Sequence, residues 1–379
     1  MIAVVRDGGS TWYNPAKLGG TDRDRLDMTA SVYSVRWSRA PGFMRTTNGD
    51  ANDVREQEFV AVPSQISYVR KLNERTALEL AYHAPGAASM LVRQQLQSDE
   101  GTIAADWYVD GLHSYKEYIF GGILGMRLRN GLRLGGGLRV RRESLEQSVD
   151  FIGQVAIGGT VSRLLQASTL STRDQIGIEP TLGIQWEVTP SLTLAASARG
   201  PRLGPYIAGE DTASESFVLG DTGAPQLFTY ASAERFDHKP FSLVRLGRYF
   251  LGAAHRRGPL LLAIDGDLQP GLVDEGAGIE RKHAWNVCVG ATRRVSQRFT
   301  LGTGVFTDRG ADRKNEEGFL SAGANFVGGS LGLRHDDEHR LAAGETSDSL
   351  RFASIFAIRY AYARSKLENL TFDPAGTTI

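Results

Sequence analysis

The 379 residues include 43 basic and 43 acidic side chains, a balance that provides no broad cationic field for nucleic acid or anionic lipid. The single Cys288 excludes an intramolecular disulfide framework and a cysteine-rich zinc motif. Forty-four glycines without a three-residue period exclude collagen, and no uninterrupted apolar run reaches the roughly eighteen residues of a helical membrane span.

Met1 to Arg6 lacks the basic and apolar parts of an export signal, so for an exported protein the expectation is a leader already processed away. Next comes Asp7-Gly8-Gly9-Ser10-Thr11-Trp12-Tyr13-Asn14-Pro15-Ala16-Lys17-Leu18-Gly19-Gly20, whose two Gly-Gly pairs and Asn-Pro step oppose one regular element throughout. Trp12, Tyr13 and Leu18 are costly to leave in water, which predicts that this tract packs against something.

From there the signal is alternation. Tyr33, Val35 and Trp37 share one face, opposite Ser34, Arg36 and Ser38. Leu78, Leu80 and Tyr82 alternate with Ala77, Glu79, Ala81 and His83. The clearest hairpin spans 118–141. Phe120, Leu124, Met126 and Leu128 oppose Gly121, Gly125, Arg127 and Arg129; after the Asn130-Gly131 turn, Leu132, Leu134, Leu138 and Val140 oppose Arg133, Gly135, Gly137, Arg139 and Arg141. Similar hairpins are predicted at 182–199, around Thr189-Pro190-Ser191, and at 285–306, around Ser296-Gln297. Phe352, Phe356, Ile358, Tyr360 and Tyr362 make a last apolar face.

Weaker segments at 59–72, 88–98, 104–112, 148–160, 173–188, 225–235, 242–254, 258–266, 316–325 and 328–335 bring the expected strand number to about fourteen, within two. Short turns at 73–74, 130–131, 189–190 and 296–297 are expected on one rim. Longer polar connections at 38–58, 200–224, 267–281 and 308–316 are expected on the other. Arginines on the polar faces and Trp, Tyr or Phe at strand ends favour an all-β, antiparallel transmembrane β-barrel over a soluble sandwich, which needs two bulky inner faces. The expected divisions are an N-terminal segment at 1–26, the barrel at 27–365 and a tail at 366–379.

Arg127, Arg129, Arg133, Arg139 and Arg141 form the densest basic group on a polar face, and Arg359 resembles them. Three readings stand: contact with lumen contents or a ligand headgroup, ion pairing with internal Glu or Asp, and location at a wet rim. Asp265, Asp267, Asp274 and Glu275 do not complete a calcium pattern, and the run Arg334 to His339 reads as a surface loop, so no metal or other cofactor is expected. The seven histidines sit in no motif that nominates a nucleophile, which argues against an enzyme.

At Ser10-Thr11-Trp12-Tyr13-Asn14-Pro15-Ala16 the chain resembles the long-chain fatty-acid transporter family of outer-membrane proteins, which includes aromatic-hydrocarbon channels. The hairpins GILGMRLRNGLRLGGGLRVR and LGIQWEVTPSLTLAASAR add to the resemblance, although the specific motif covers only about ten residues. The family usually continues Asn-Pro-Ala with Gly, where this chain has Lys17. The resemblance implies a fourteen-stranded barrel in the bacterial outer membrane, acting as a monomer among outer-membrane lipids. It also implies a hatch formed by Trp12, Tyr13, Asn14, Pro15 and Ala16, and a hydrophobic small-molecule cargo, long-chain fatty acids or hydrocarbons, that leaves through a lateral opening. The alternative is a general or structural porin with a hydrophilic lumen.

Overall fold

The structure, a computed structural model, describes residues 10–29, 33–46, 51–61, 64–101, 103–129, 131–219, 226–237, 242–274, 279–309, 325–340, 349–364 and 370–372. A one-turn helix α1 (Ser10–Tyr13) and a 3-10 turn (Pro15–Gly20) come first. In the first hairpin, β1 (Arg25–Thr29) and β2 (Tyr33–Thr46) lie against β3 (Ala51–Ala61) and β4 (Ser64–Lys71). Four long strands follow: β5 (Thr76–Glu100), β6 (Ile103–Arg129), β7 (Leu132–Ile157) and β8 (Thr160–Glu187). The next strands are interrupted: β9 (Leu192–Arg199) and β10 (Arg202–Leu219), then β11 (Gln226–Asp237), β12 (Ser242–Arg245) and β13 (Arg248–Arg257). After them come β14 (Leu260–Gln269), β15 (Leu272–Asp274), β16 (Ile279–Arg281), β17 (Ala284–Arg294), β18 (Phe299–Arg309), β19 (Asn325–Arg340), β20 (Ser349–Arg364) and β21 (Leu370–Phe372).

Taken as continuous runs, these make thirteen barrel strands among the described residues, each antiparallel to its chain neighbour, with β21 in addition. β21 lies parallel to β2, with Leu370 opposite Met44, and so brings the end of the described chain back to the first hairpin. The fold is an antiparallel β-barrel, as expected.

The turns at 72–75, at Gly131 and at 188–191, 258–259 and 295–298 fall on one rim, and Gly258-Pro259 is the one the sequence does not announce. Gly131 and Gly258 have φ of 78° and 58°, left-handed values that glycine adopts without a Cβ clash. The opposite rim corrects an expectation. Most of 38–58, 200–224 and 267–281 is not loop but strand, in β2, β3, β10 and β14 to β16. Likewise 88–98 and 104–112 are the far halves of β5 and β6 rather than separate strands. The predicted strand 316–325 falls almost entirely outside the described residues.

The reason is a reversal of polarity within single strands. Near the short-turn rim of β6, Tyr118, Phe120, Leu124, Met126 and Leu128 point outward and are exposed, while Ile119 and Ile123 are buried inside. Beyond Lys116 the outward positions become Asp110 and Asp106, and the inward ones become the buried Val109 and Trp107. β7 behaves alike: Leu138 and Val140 are exposed outside, then Arg142, Glu146 and Asp150 take the outer face. The outer face is therefore apolar over a belt and polar beyond it. The ten steps from Tyr118 to Leu128 span about 34 Å of strand, or about 24 Å of height at a 45° tilt, which fits the apolar band of a membrane barrel. Aromatics mark its edges, with Tyr82 stacked on Tyr118 at 6.5 Å on one side and Trp186 and Phe299 beside the short turns on the other.

Candidate functional site: a seated N-terminal segment and a buried charge layer

Three glycines on adjacent strands lie in one register row, Gly125 opposite Gly135 and Gly135 opposite Gly183. Their missing side chains leave the seat for residues 14–19. A Cβ at Gly125 would come within 2.5 Å of Leu18 Cβ, one at Gly135 would strike the Pro15 carbonyl, and one at Gly183 would strike Asn14 Oδ1. Asn14 is fully buried and uses both ends of its amide. Its Oδ1 accepts from the Ala16 backbone N–H at 3.0 Å, opening the 3-10 turn, and its Nδ2 donates to the Ile184 carbonyl at 3.1 Å. Pro15 has no N–H to leave unsatisfied at this position. Leu18 then packs with Val69, Ala77 and Ile123 in an apolar cluster.

The carbonyls at the end of α1 meet donors from the wall. Trp12 O accepts from Arg199 at 2.6 Å and from Arg139 at 3.2 Å, and Tyr13 O accepts from Ser197 Oγ at 3.0 Å. Unpaired carbonyls at a helix C-terminus are natural partners for cations. The Arg199 guanidinium also lies 4.9 Å from the Trp12 ring centre and 5.0 Å from that of Phe250, and the His83 ring lies 5.6 Å from Trp12. The tract 12–18 is thus held by apolar packing at one end and by charged donors at the other.

A layer of buried charges adjoins it. Arg139 lies 3.6 Å from Glu179, and Arg141 pairs with Glu117, with Glu143 at 3.6 Å and with Glu179 at 3.9 Å. Arg202 reaches Glu143 at 2.6 Å, and Tyr115 donates to the same carboxylate at 3.0 Å. Burying these ions is tolerable only because the network pairs them. Beyond the layer, in the part of the barrel whose outer face is polar, Met44, Leu96, Ala105, Trp107, Val109 and Val155 form a buried apolar cluster.

The six arginines singled out from the sequence thus separate. Arg139 and Arg141 belong to the buried network, and Arg133 binds Glu187 at 2.7 Å next to Gly20. Arg127 is half-buried and Arg129 is exposed near the short turn. Arg359 sits elsewhere, on β20, 3.8 Å from Asp308 and 4.0 Å above the Phe306 ring. Arg199 and Arg202 were missed as site residues. Arg199 continues the inward row of Thr193 and Ser197, a signal that was available; Arg202 lay in a stretch read as a loop.

No family model and no curated protein sequence matches this chain. Solved structures do. A FadL homologue of Pseudomonas aeruginosa superposes with a TM-score of 0.52 at 12% identity, covering 95% of this chain and 94% of that one. The toluene transporter TodX of P. putida superposes with a TM-score of 0.50 at 12% identity, covering 96% and 95%. The chain shares the fold of these two proteins over nearly its whole length.

Proposed function

We propose that this protein is an outer-membrane channel for hydrophobic small molecules, of the fatty-acid or hydrocarbon class, gated by an N-terminal hatch that includes Trp12, Tyr13, Asn14, Pro15 and Ala16. The observation that carries the reading is the glycine-row seat with the buried charge layer beside it. A hydrophilic porin needs a wide wet lumen, whereas here the lumen beside β5 to β8 is occupied by the seated segment and by ions already paired with one another. The shared fold with a FadL homologue and a toluene transporter supports the same reading.

A greasy molecule gains about 25 cal/mol per Å² removed from water on entering an apolar interior, and beyond the charge layer the interior is apolar around Trp107 and Val109. Displacing Trp12 to Ala16 would then open the path beyond. The lateral exit belongs at β5, where the ladder to β6 slips between His83 and Gly86, across Pro85, which cannot donate to a ladder. In this reading the hatch occupies 1–26, the barrel 27–365 and a tail 366–379, and one copy suffices.

Uptake of labelled oleate, toluene and a small sugar, in cells that lack their own fatty-acid channel and display this protein, tests the proposal. Saturable oleate or toluene uptake without sugar leakage is the expected outcome. Sugar entry without hydrophobic uptake would replace the reading with a general pore.

A further inference from the structure

The net charge of zero conceals a local imbalance on the short-turn rim. Arg256, Arg257, Arg293, Arg294 and Arg298 are all exposed where β13 turns into β14 and β17 into β18. The sequence holds no acidic residue in 254–264 or in 288–307. Among the described residues, none of these five side chains has an acidic partner. Elsewhere near this rim several cations have a carboxylate beside them: Lys71 pairs with Glu74 at 3.0 Å, Arg133 with Glu187 at 2.7 Å and Arg25 with Asp27 at 2.8 Å.

Two of the five point outward, and both stand beside an apolar groove. Arg257 and Arg293 flank Leu260 in one register row, so their backbones lie about 10 Å apart across two ladders. Moving from the rim into the belt, the next rows on the same face carry Leu262, Ala291 and Thr303, then Ile264, Val289 and Val305. The small Ala291 and Thr303 between larger neighbours leave a groove of about 450 Å³ in the outer wall, which also reaches His255. The rim end of this feature is cationic, with no acidic partner among the described residues, and its body is apolar and faces the belt.

We propose that this face binds one anionic phospholipid of the leaflet on the short-turn side, its phosphate between Arg257 and Arg293 and an acyl chain along the groove. The charge complementarity commits the site to an anionic headgroup, since a zwitterionic lipid would bring a cation towards the two outward arginines. The site lies on the outer wall, away from the seated N-terminal segment. It rests on the barrel's place in a membrane and is independent of the cargo.

The test uses the full chain in detergent, titrated with phosphatidylglycerol or with phosphatidylcholine of the same chains, and counts bound lipid by native mass spectrometry. Phosphatidylglycerol is expected to bind selectively. The variant Arg257→Gln/Arg293→Gln is expected to lower that affinity roughly thirtyfold, as removal of two surface arginines implies. Arg75→Gln, an exposed rim arginine remote from the groove, should leave it unchanged. Ala291→Phe, which fills the groove on a lipid-facing position, should also weaken binding, and a heat-dependent shift in gel mobility reports that each variant is folded. Equal binding of the two lipids, or undiminished phosphatidylglycerol binding to folded Arg257→Gln/Arg293→Gln, would overturn the proposal. So would a dimer, free of bound lipid, that the same substitutions abolish, because it would assign the face to a second copy.

Discussion

Replacing Gly183 or Gly135 with alanine tests the seat directly. In either case a single methyl group enters space held by Asn14 or Pro15. The strand itself should not suffer, since alanine is at least as acceptable as glycine in a strand interior. The cost falls on docking of residues 14–19: overpacking takes about 1–3 kcal/mol, and loss of the Asn14 to Ile184 hydrogen bond about 1 kcal/mol more. A total of about 2–4 kcal/mol lowers the ratio of docked to undocked segment by roughly 30- to 1,000-fold. Hydrogen exchange at Ala16 and Lys17 should accelerate by that factor, and conductance across planar bilayers should rise as the lumen opens. If both variants fold, protect these amides as the unsubstituted protein does and conduct no more, the seat is not what holds the segment.

Three further outcomes follow from the same geometry. Arg199→Met removes the 2.6 Å bond to the Trp12 carbonyl and should loosen residues 10–13 by about 1–3 kcal/mol, seen as faster exchange there with unchanged barrel stability. Glu143→Gln removes the carboxylate that Arg202 meets at 2.6 Å and Arg141 at 3.6 Å and should cost about 3–5 kcal/mol in urea unfolding, whereas Glu143→Leu with Arg202→Leu should recover most of that loss. Leu124→Arg, in the middle of the belt, should destabilise insertion by about 2–4 kcal/mol, while Ser148→Arg, outward on β7 beyond the belt, should cost almost nothing. Equal effects of these last two on folding into lipid would contradict the position of the belt edge.

Much of the barrel was legible because alternation is local. Leu124, Met126 and Leu128 announce their common face by spacing alone, and the exposure of Leu182, Ile184 and Trp186 follows the same rule. The N-terminal tract was legible as something that must pack, because Trp12 and Leu18 are too apolar for a free end. The far halves of the long strands misled the reading for an equally local reason. At 104–112 the apolar residues change from the outward to the inward set, and a scan for one face takes that reversal as a new element.

Chain separation set the rest beyond reach of the sequence. That Gly125, Gly135 and Gly183 form one row depends on the registers of two ladders, and a slip of one residue in either would break the row. Arg141 was visible as an inward arginine with Glu143 two residues along the same face of its own strand, but its partners Glu117 and Glu179 come from the two flanking strands and are chosen only when those strands align. Spacing along the chain determined which face each residue takes. Which residues meet across the lumen was decided by register and barrel curvature, because period-2 alternation carries no information about the neighbouring strand.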